Sequence, residues 1–422
     1  MKHLLILLLS LSLFFACQKK AIEPLVSNDV KSYRDTGSDD YKSVKSGKYS
    51  DPTTWNKKVS GVWVSATDCP GINNSVWLES LYCVDIDSNF ECKDLHINCD
   101  VDTLRINTDS NRLDIYGTIY TYTGSYPGTL FLAGTAGVPG FISGTLRFKT
   151  NVGTRRIFDT QTMSANSQTA GWNMEIDFPS GDTAIHYYAT TRCGNLSVLS
   201  GTLEIQPYNS TGYEIRVAGN DYTAQPGDGV SAGIVTVNSG ASLVAGRLLK
   251  NNPTSAANGL SNFIIQSGAK FTPTLLSEVV PTQSYSILGD VIFDRSANQT
   301  FIGKGGNVDA VNIQNYTNVT IGGTGNKTLV TNTVIGGELK ITSSANLNKS
   351  TYSLSYGSTS DLHYTLSRTK GTELVSSGSG SAIPEDLIID SGYTLNLGGA
   401  TVNIRGALIG SITNGTVNQF QP

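Results

Sequence analysis

Five times along this chain an alternating apolar strand runs into a serine turn and out into a second short strand. The copies are LSVLSGTLEI from Leu196, VTVNSGASLV from Val235, FIIQSGAKFT from Phe263, LKITSSANLN from Leu339 and LIIDSGYTLN from Leu387. The turn serines are Ser200, Ser239, Ser267, Ser343 and Ser391, so the gaps between copies are 39, 28, 76 and 48 residues. A parallel solenoid produces such irregular gaps, because only its stacked strands must keep register while the loops between them vary in length. Glycine follows the serine in four of the five copies and supplies the positive φ that a tight corner needs. With 44 glycines and only 15% charged residues among 422, the composition suits short strands and turns better than long helices. The expectation is an all-β protein built as a parallel β-helix. Tandem β-sandwiches are the alternative, since short alternating strands with frequent turns fit them as well.

The first sixteen residues, MKHLLILLLSLSLFFA, read as a secretory lipoprotein signal, and Cys17 behind Ala16 as the lipidated residue. The apolar run from Leu4 to Ala16 is too short to cross a hydrocarbon core of about 30 Å as a helix, so cleavage is expected rather than spanning. Phe14 and Phe15 depart from the usual residues before such a cysteine. Residues 17–45 are polar and aperiodic, with Pro24 and the run DTGSDD, and read as a flexible tether. The body is expected from 46 to 422. In its tail, alternation points Leu395, Leu397, Val402 and Ile404 inward. A membrane contact through the lipid follows, and with it a place in the cell envelope as an outer-membrane lipoprotein. Gln18, Lys19 and Lys20 after the cysteine leave open whether it faces the surface or the periplasm.

Export also changes how the other cysteines are read. Cys69, Cys83, Cys92 and Cys99 cluster within thirty-odd residues and are candidates for local disulfides, while Cys193 stands apart. Zinc finds little support there, because the spacings hold no CxxC and His96 is the nearest histidine. Asp85 and Asp87 in VDID, with Asp100 and Asp102 in DVD, are weak calcium candidates, because each pair shares one side of a strand. Solvated acids on a surface strand are the simpler explanation.

SGKYSDPTTW (Ser46 to Trp55), CPGINNSVWL and the strands leading to LHIN resemble the opening of exported repetitive proteins of the Bacteroidota type, which carry a G8-like entry segment. ANQTFIG (Ala297 to Gly303) and the run from Tyr316 to Asn348 resemble their internal coils. The resemblance touches about a quarter of the chain and rests on turn glycines and alternation. It implies a right-handed parallel β-helix on a surface or matrix protein, and no defined enzyme activity.

A formal net charge of −4 gives no basic surface for nucleic acid. His96, His186 and His363 are widely spaced, and GxSxG, HExxH and P-loop motifs are absent from the sequence, so no catalytic residue and no cofactor is assigned. A polysaccharide lyase or glycoside hydrolase on a β-helix stays open as the alternative. It would need facing acids beside an Arg or Lys. Among nineteen tyrosines, Tyr120 and Tyr122 share one side of a strand and are glycan-binding candidates, with cross-strand packing as the competing use of such rings. The expectation is a structural or adhesive envelope protein with at most weak glycan contacts.

Overall fold

The computed structural model describes residues 40–79, 82–98, 103–106, 111–122, 131–132, 144–150, 153–159, 173–186, 190–205, 214–217, 233–245, 248–249, 260–274, 282–302, 313–376 and 379–420. Cys17 lies outside them. Among them there is no α-helix, only the short 3-10 turns Pro52–Thr54 and Gly380–Ala382.

Strands that neighbour one another in space are a whole coil apart in sequence. Leu196–Ser200, Ile234–Val237 and Leu260–Ile265 lie side by side in parallel, within an eight-stranded sheet. Each then turns into Thr202–Ile205, Ser242–Ala245 or Lys270–Pro273, which are parallel neighbours in an eleven-stranded sheet. Winding of this kind defines a parallel β-helix. Ten steps of about 4.8 Å give the eleven-stranded ladder a length of roughly 48 Å.

Inward positions stack in register from coil to coil. Leu196, Val235 and Phe263 form one column and Leu203, Leu243 and Phe271 another, all with 2% or less of their surface exposed. The expected inward residues of the tail, Leu395, Leu397, Val402 and Ile404, are buried to the same degree. Gly201, Gly240, Gly268 and Gly392 do take positive φ at the serine turns. However, the five copies do not mark one corner. After Glu338–Ile341 and Leu387–Ile389 the chain leaves the eleven-stranded sheet instead of entering it. A tight turn between two inward-facing strand ends produces the same local pattern wherever it occurs around a coil.

A second corner device recurs on several faces. Asp94, Asn298, Asn318 and Asp386 each use Oδ1 to accept a backbone N–H from the next coil, from Thr118 (2.8 Å), Asn326 (2.9 Å), Glu338 (2.9 Å) and Ala407 (2.7 Å). Glycine precedes each donor, and a Cβ on Gly117, Gly325, Gly337 or Gly406 would stand 1.9, 2.8, 2.4 or 2.3 Å from that oxygen. The missing side chain makes room for the neighbouring coil's acceptor.

The N-terminal end departs from parallel winding. Tyr41–Ser43 pairs in parallel with Val76–Leu78 and antiparallel with Trp55–Val59, which pairs antiparallel with Val62–Ser65. Ser60 and Gly61, both at positive φ, make the two-residue turn that suits such a hairpin. Regular structure therefore begins before residue 46: Tyr41, assigned to the tether on sequence, is 1% exposed.

Candidate functional site

Outward positions form columns too, and some of these columns bring polar and aromatic side chains together. On the seven-stranded sheet Trp77, His96 and Tyr120 share one register. Their rings stack, with centroids 3.9 Å apart for Trp77 and His96 and 4.7 Å apart for His96 and Tyr120, and planes within 10°. Stacking covers both faces of His96 and one face of each neighbour. Tyr120, a candidate for sugar binding, thus spends a face on its own protein, while the side chain of Tyr122 lies outside the described residues. Burial lowers the pKa of His96 to about 4, with nearby Asp94 working in the opposite direction.

The eight-stranded sheet carries a charged column in which Glu91, Asp114, Arg147 and Glu175 follow one another in register. Arg112 grips Asp114 through Nε and also Nη2, and Lys149 Nζ stands 3.4 Å from the same carboxylate. Arg147 meets Glu175 at 2.6 Å and approaches Asp177 at 3.9 Å. The hydrogen bond from Arg112 to Asp114 raises the pKa of the guanidinium against the cost of desolvation. Burial opposes the charge on Lys149, yet Tyr116 and Asp114 together raise its pKa. Facing acids beside Arg and Lys were the expected mark of a polysaccharide-processing enzyme. Here the side chain of Asp114 is only 2% exposed and is held by two cations, which leaves a polymer no access to it.

Two of the four acidic candidates fall among the described residues. Asp85 aligns with Arg105 of the next coil, and Asp87 accepts hydrogen bonds from the Ser50 amide and hydroxyl. Asp100 and Asp102 lie outside the described residues. Among those described, no group of three or more His, Cys, Asp and Glu is placed to hold a metal. Cys69, Cys92 and Cys193 are free thiols, which corrects the expected staple for Cys69 and Cys92. Cys92 points into the coil with no exposed surface, and burial pushes its thiol pKa up, away from the reactive thiolate. Cys99 and the side chain of Cys83 lie outside the described residues.

Two further clusters have no signal in the local sequence. His363 bridges three coils, with Nδ1 2.7 Å from Glu338 Oε1 and Nε2 2.7 Å from Asp390 Oδ1. Lys327 is fully buried, and its Nζ meets the carbonyl oxygens of Arg295, Ala297 and Thr324 and Oε1 of Gln299 at 2.6 to 3.1 Å. Desolvation lowers its pKa. Lysine followed by threonine in a strand carries no mark of this cage, because three of its four acceptors are backbone groups.

Compared with protein-family models, curated proteins and solved structures, the chain matches none.

Proposed function

We propose that this chain is a lipid-anchored protein of the cell envelope, an outer-membrane lipoprotein whose β-helical body serves as a structural or adhesive element with at most weak glycan contacts. The kinship with exported repetitive proteins of the Bacteroidota type belongs to the same reading and rests on the entry and coil motifs. The observation that carries it is the use made of the outer faces. Trp77 on His96 on Tyr120, Lys149 on Asp114, Arg147 on Glu175, and His363 between Glu338 and Asp390 all join one coil to the next, while Arg112 holds Asp114 from within its own strand. Groups that a catalytic or sugar-binding groove would hold open toward a substrate here stiffen the stack.

The test is to expose the full chain to bacterial and plant glycans while assaying release of reducing ends from the same samples. Weak binding or none, without release, is the expected result. Release would replace this reading with a polysaccharide lyase or glycoside hydrolase, and Glu91 and Glu175, the acids of the column open to solvent, would be the first to mutate. Independently, Cys17→Ser should move the chain from the membrane to the soluble fraction. A variant that still sediments with membranes would refute the lipid anchor.

A further inference from the structure

Inward residues of this β-helix direct their backbone groups toward the following coil. Leu362 gives its N–H to the Asp386 carbonyl and Leu387 gives its own to Ala407, while the Tyr364 carbonyl accepts from the Asp390 N–H, each at 3.0 Å. Outward residues direct theirs back, as the Phe420 N–H does to Ile404 at 2.8 Å. Ser411–Gln419 ends its sheet, and among the described residues no strand lies on its outer edge. Its two inward side chains, Ile412 and Val417, stack on Leu395 and Val402 and pack partly against the core. By the same rule the N–H and C=O of both point out of that edge. At the N-terminal end the matching edge is covered: the hairpin of Trp55–Val59 and Val62–Ser65 lies on Tyr41–Ser43, with Val59, Val62 and Val64 exposed on it.

Edge strands that must stay single are blunted by charge or proline. From Gly406 to Phe420 there is neither. The strand is instead complementary to itself. Asn414, at positive φ, and Gly415 interrupt its register with Thr394–Ile404. Setting the strand antiparallel to its own copy, about a two-fold axis between these two residues, puts Ile412 opposite Val417, Thr413 opposite Thr416 and Ser411 opposite Asn418. Opposed residues of an antiparallel pair share a face. Here the first match joins inward with inward, and the other two join exposed with exposed. Ile409 and Phe420, 50% and 51% exposed beyond the two ends of the strand, are counterparts under the same axis. Ile412 and Val417 both offer N–H and C=O, so they make the kind of opposed pair that exchanges two hydrogen bonds.

We infer that this chain binds a second copy of itself tail to tail, with Ser411–Gln419 of each running antiparallel to that of the other. A partner of another sequence would need no match of faces and bonding groups about the strand's own midpoint. An isologous contact needs both, because one surface must serve as its own complement. The absence of charge also removes the like-charge opposition that a self-paired strand otherwise meets. The apolar columns that end at Ile412 and Val417 then continue into each other across the seam, and the two N-terminal hairpins lie at the far ends of the pair. The contact uses the described body alone and stands independently of the lipid anchor.

The test is sedimentation velocity of the full chain carrying Cys17→Ser, so that no lipid takes part, at about 1 to 100 μM. The expected result is a monomer–dimer equilibrium, with amide exchange at Ile412 and Val417 slowing as concentration rises. Thr413→Lys with Thr416→Lys, both at exposed positions, should weaken the dimer at least about tenfold with circular dichroism unchanged. Mixing that chain with one carrying Thr413→Glu and Thr416→Glu should restore association to within about threefold, because each threonine position faces the other across the axis. A chain that stays monomeric throughout overturns the proposal. A dimer that the lysines leave intact, or whose Ile412 and Val417 amides exchange at one rate at every concentration, overturns it by placing the contact elsewhere. Lysine variants that dissociate and are not rescued by the glutamate chain overturn the antiparallel register.

Discussion

Replacing Gly337 with alanine isolates the corner device that joins one coil to the next. Gly337 is not in the left-handed region, so alanine meets no torsional obstacle there. Its Cβ would instead stand 2.4 Å from Asn318 Oδ1 and 2.9 Å from the Thr317 carbonyl oxygen. The Asn318 carboxamide must swing away. It then gives up the bond it accepts from the Glu338 N–H at 2.9 Å and the bond it donates to Asp290 at 2.8 Å. A neutral hydrogen bond contributes about 1 kcal/mol and one to a charged group about 1.5 to 3 kcal/mol, whereas glycine to alanine returns about 0.4 to 1 kcal/mol through the unfolded chain. The net loss is about 1.5 to 3.5 kcal/mol. Asn318→Ala forfeits the same two bonds, so the double variant should be no less stable than Asn318→Ala alone, and the two losses should not add. Urea unfolding followed by circular dichroism measures the global effect, and amide exchange at Glu338 measures the local one, which matters in a solenoid whose stability is a sum over neighbouring coils. Additive losses would place the alanine's cost on the Thr317 carbonyl and refute the argument from the carboxamide.

His186 is fully buried, and burial depresses its pKa from 6.5 to about 4, so the unfolded chain binds a proton that the folded one refuses. Stability contributed by the neutral ring is complete above about pH 6.5 and is lost as the pH falls toward 4, by roughly 3 kcal/mol in total. Urea midpoints across that range should decline less steeply for His186→Gln, and an unchanged slope would show that other groups dominate. Lys327→Met removes the donor shared by four buried oxygens, of which the Arg295 carbonyl and Gln299 Oε1 keep a second donor, and should cost about 2 to 4 kcal/mol in urea unfolding, a loss below about 1 kcal/mol being incompatible with a filled cage. Chelating calcium should leave the melting temperature of the full chain unchanged, since Asp87 already accepts hydrogen bonds from the Ser50 amide and hydroxyl. A clear fall on chelation would restore the acidic residues as a metal site.

The winding was legible in the sequence because its causes are local. Leu395, Leu397, Val402 and Ile404 announce their burial by alternation, and the glycines after Ser200, Ser239, Ser267 and Ser391 mark real corners. The contents of the outer faces were not legible, because a column is written across separate coils. Trp77, His96 and Tyr120 become neighbours only once the register is known, and the loops between them vary in length. The same holds for Asp94 with Gly117 and for Asn318 with Gly337, where the glycine's role is defined by a side chain roughly 20 residues earlier. Alternation puts Tyr120 and Tyr122 on one side of a strand, yet the stacking partner of Tyr120 is His96 on another. The antiparallel hairpin is hidden in the sequence for a different reason. Its valines face outward, so periodicity places them in a core that is not there.

Parallel winding also decides how such a body would yield under load. Its backbone hydrogen bonds run along the stack, so tension between the two ends does not shear whole sheets past each other but peels coils from the tips. Each release would lengthen the chain by one coil's worth of residues, and the coils are unequal. The turns at Ser200, Ser239 and Ser267 lie 39 and 28 residues apart on consecutive coils, equivalent to about 140 and 100 Å of extended chain. A body of this construction would lengthen by uneven steps under a pull, while the coils not yet reached keep their form.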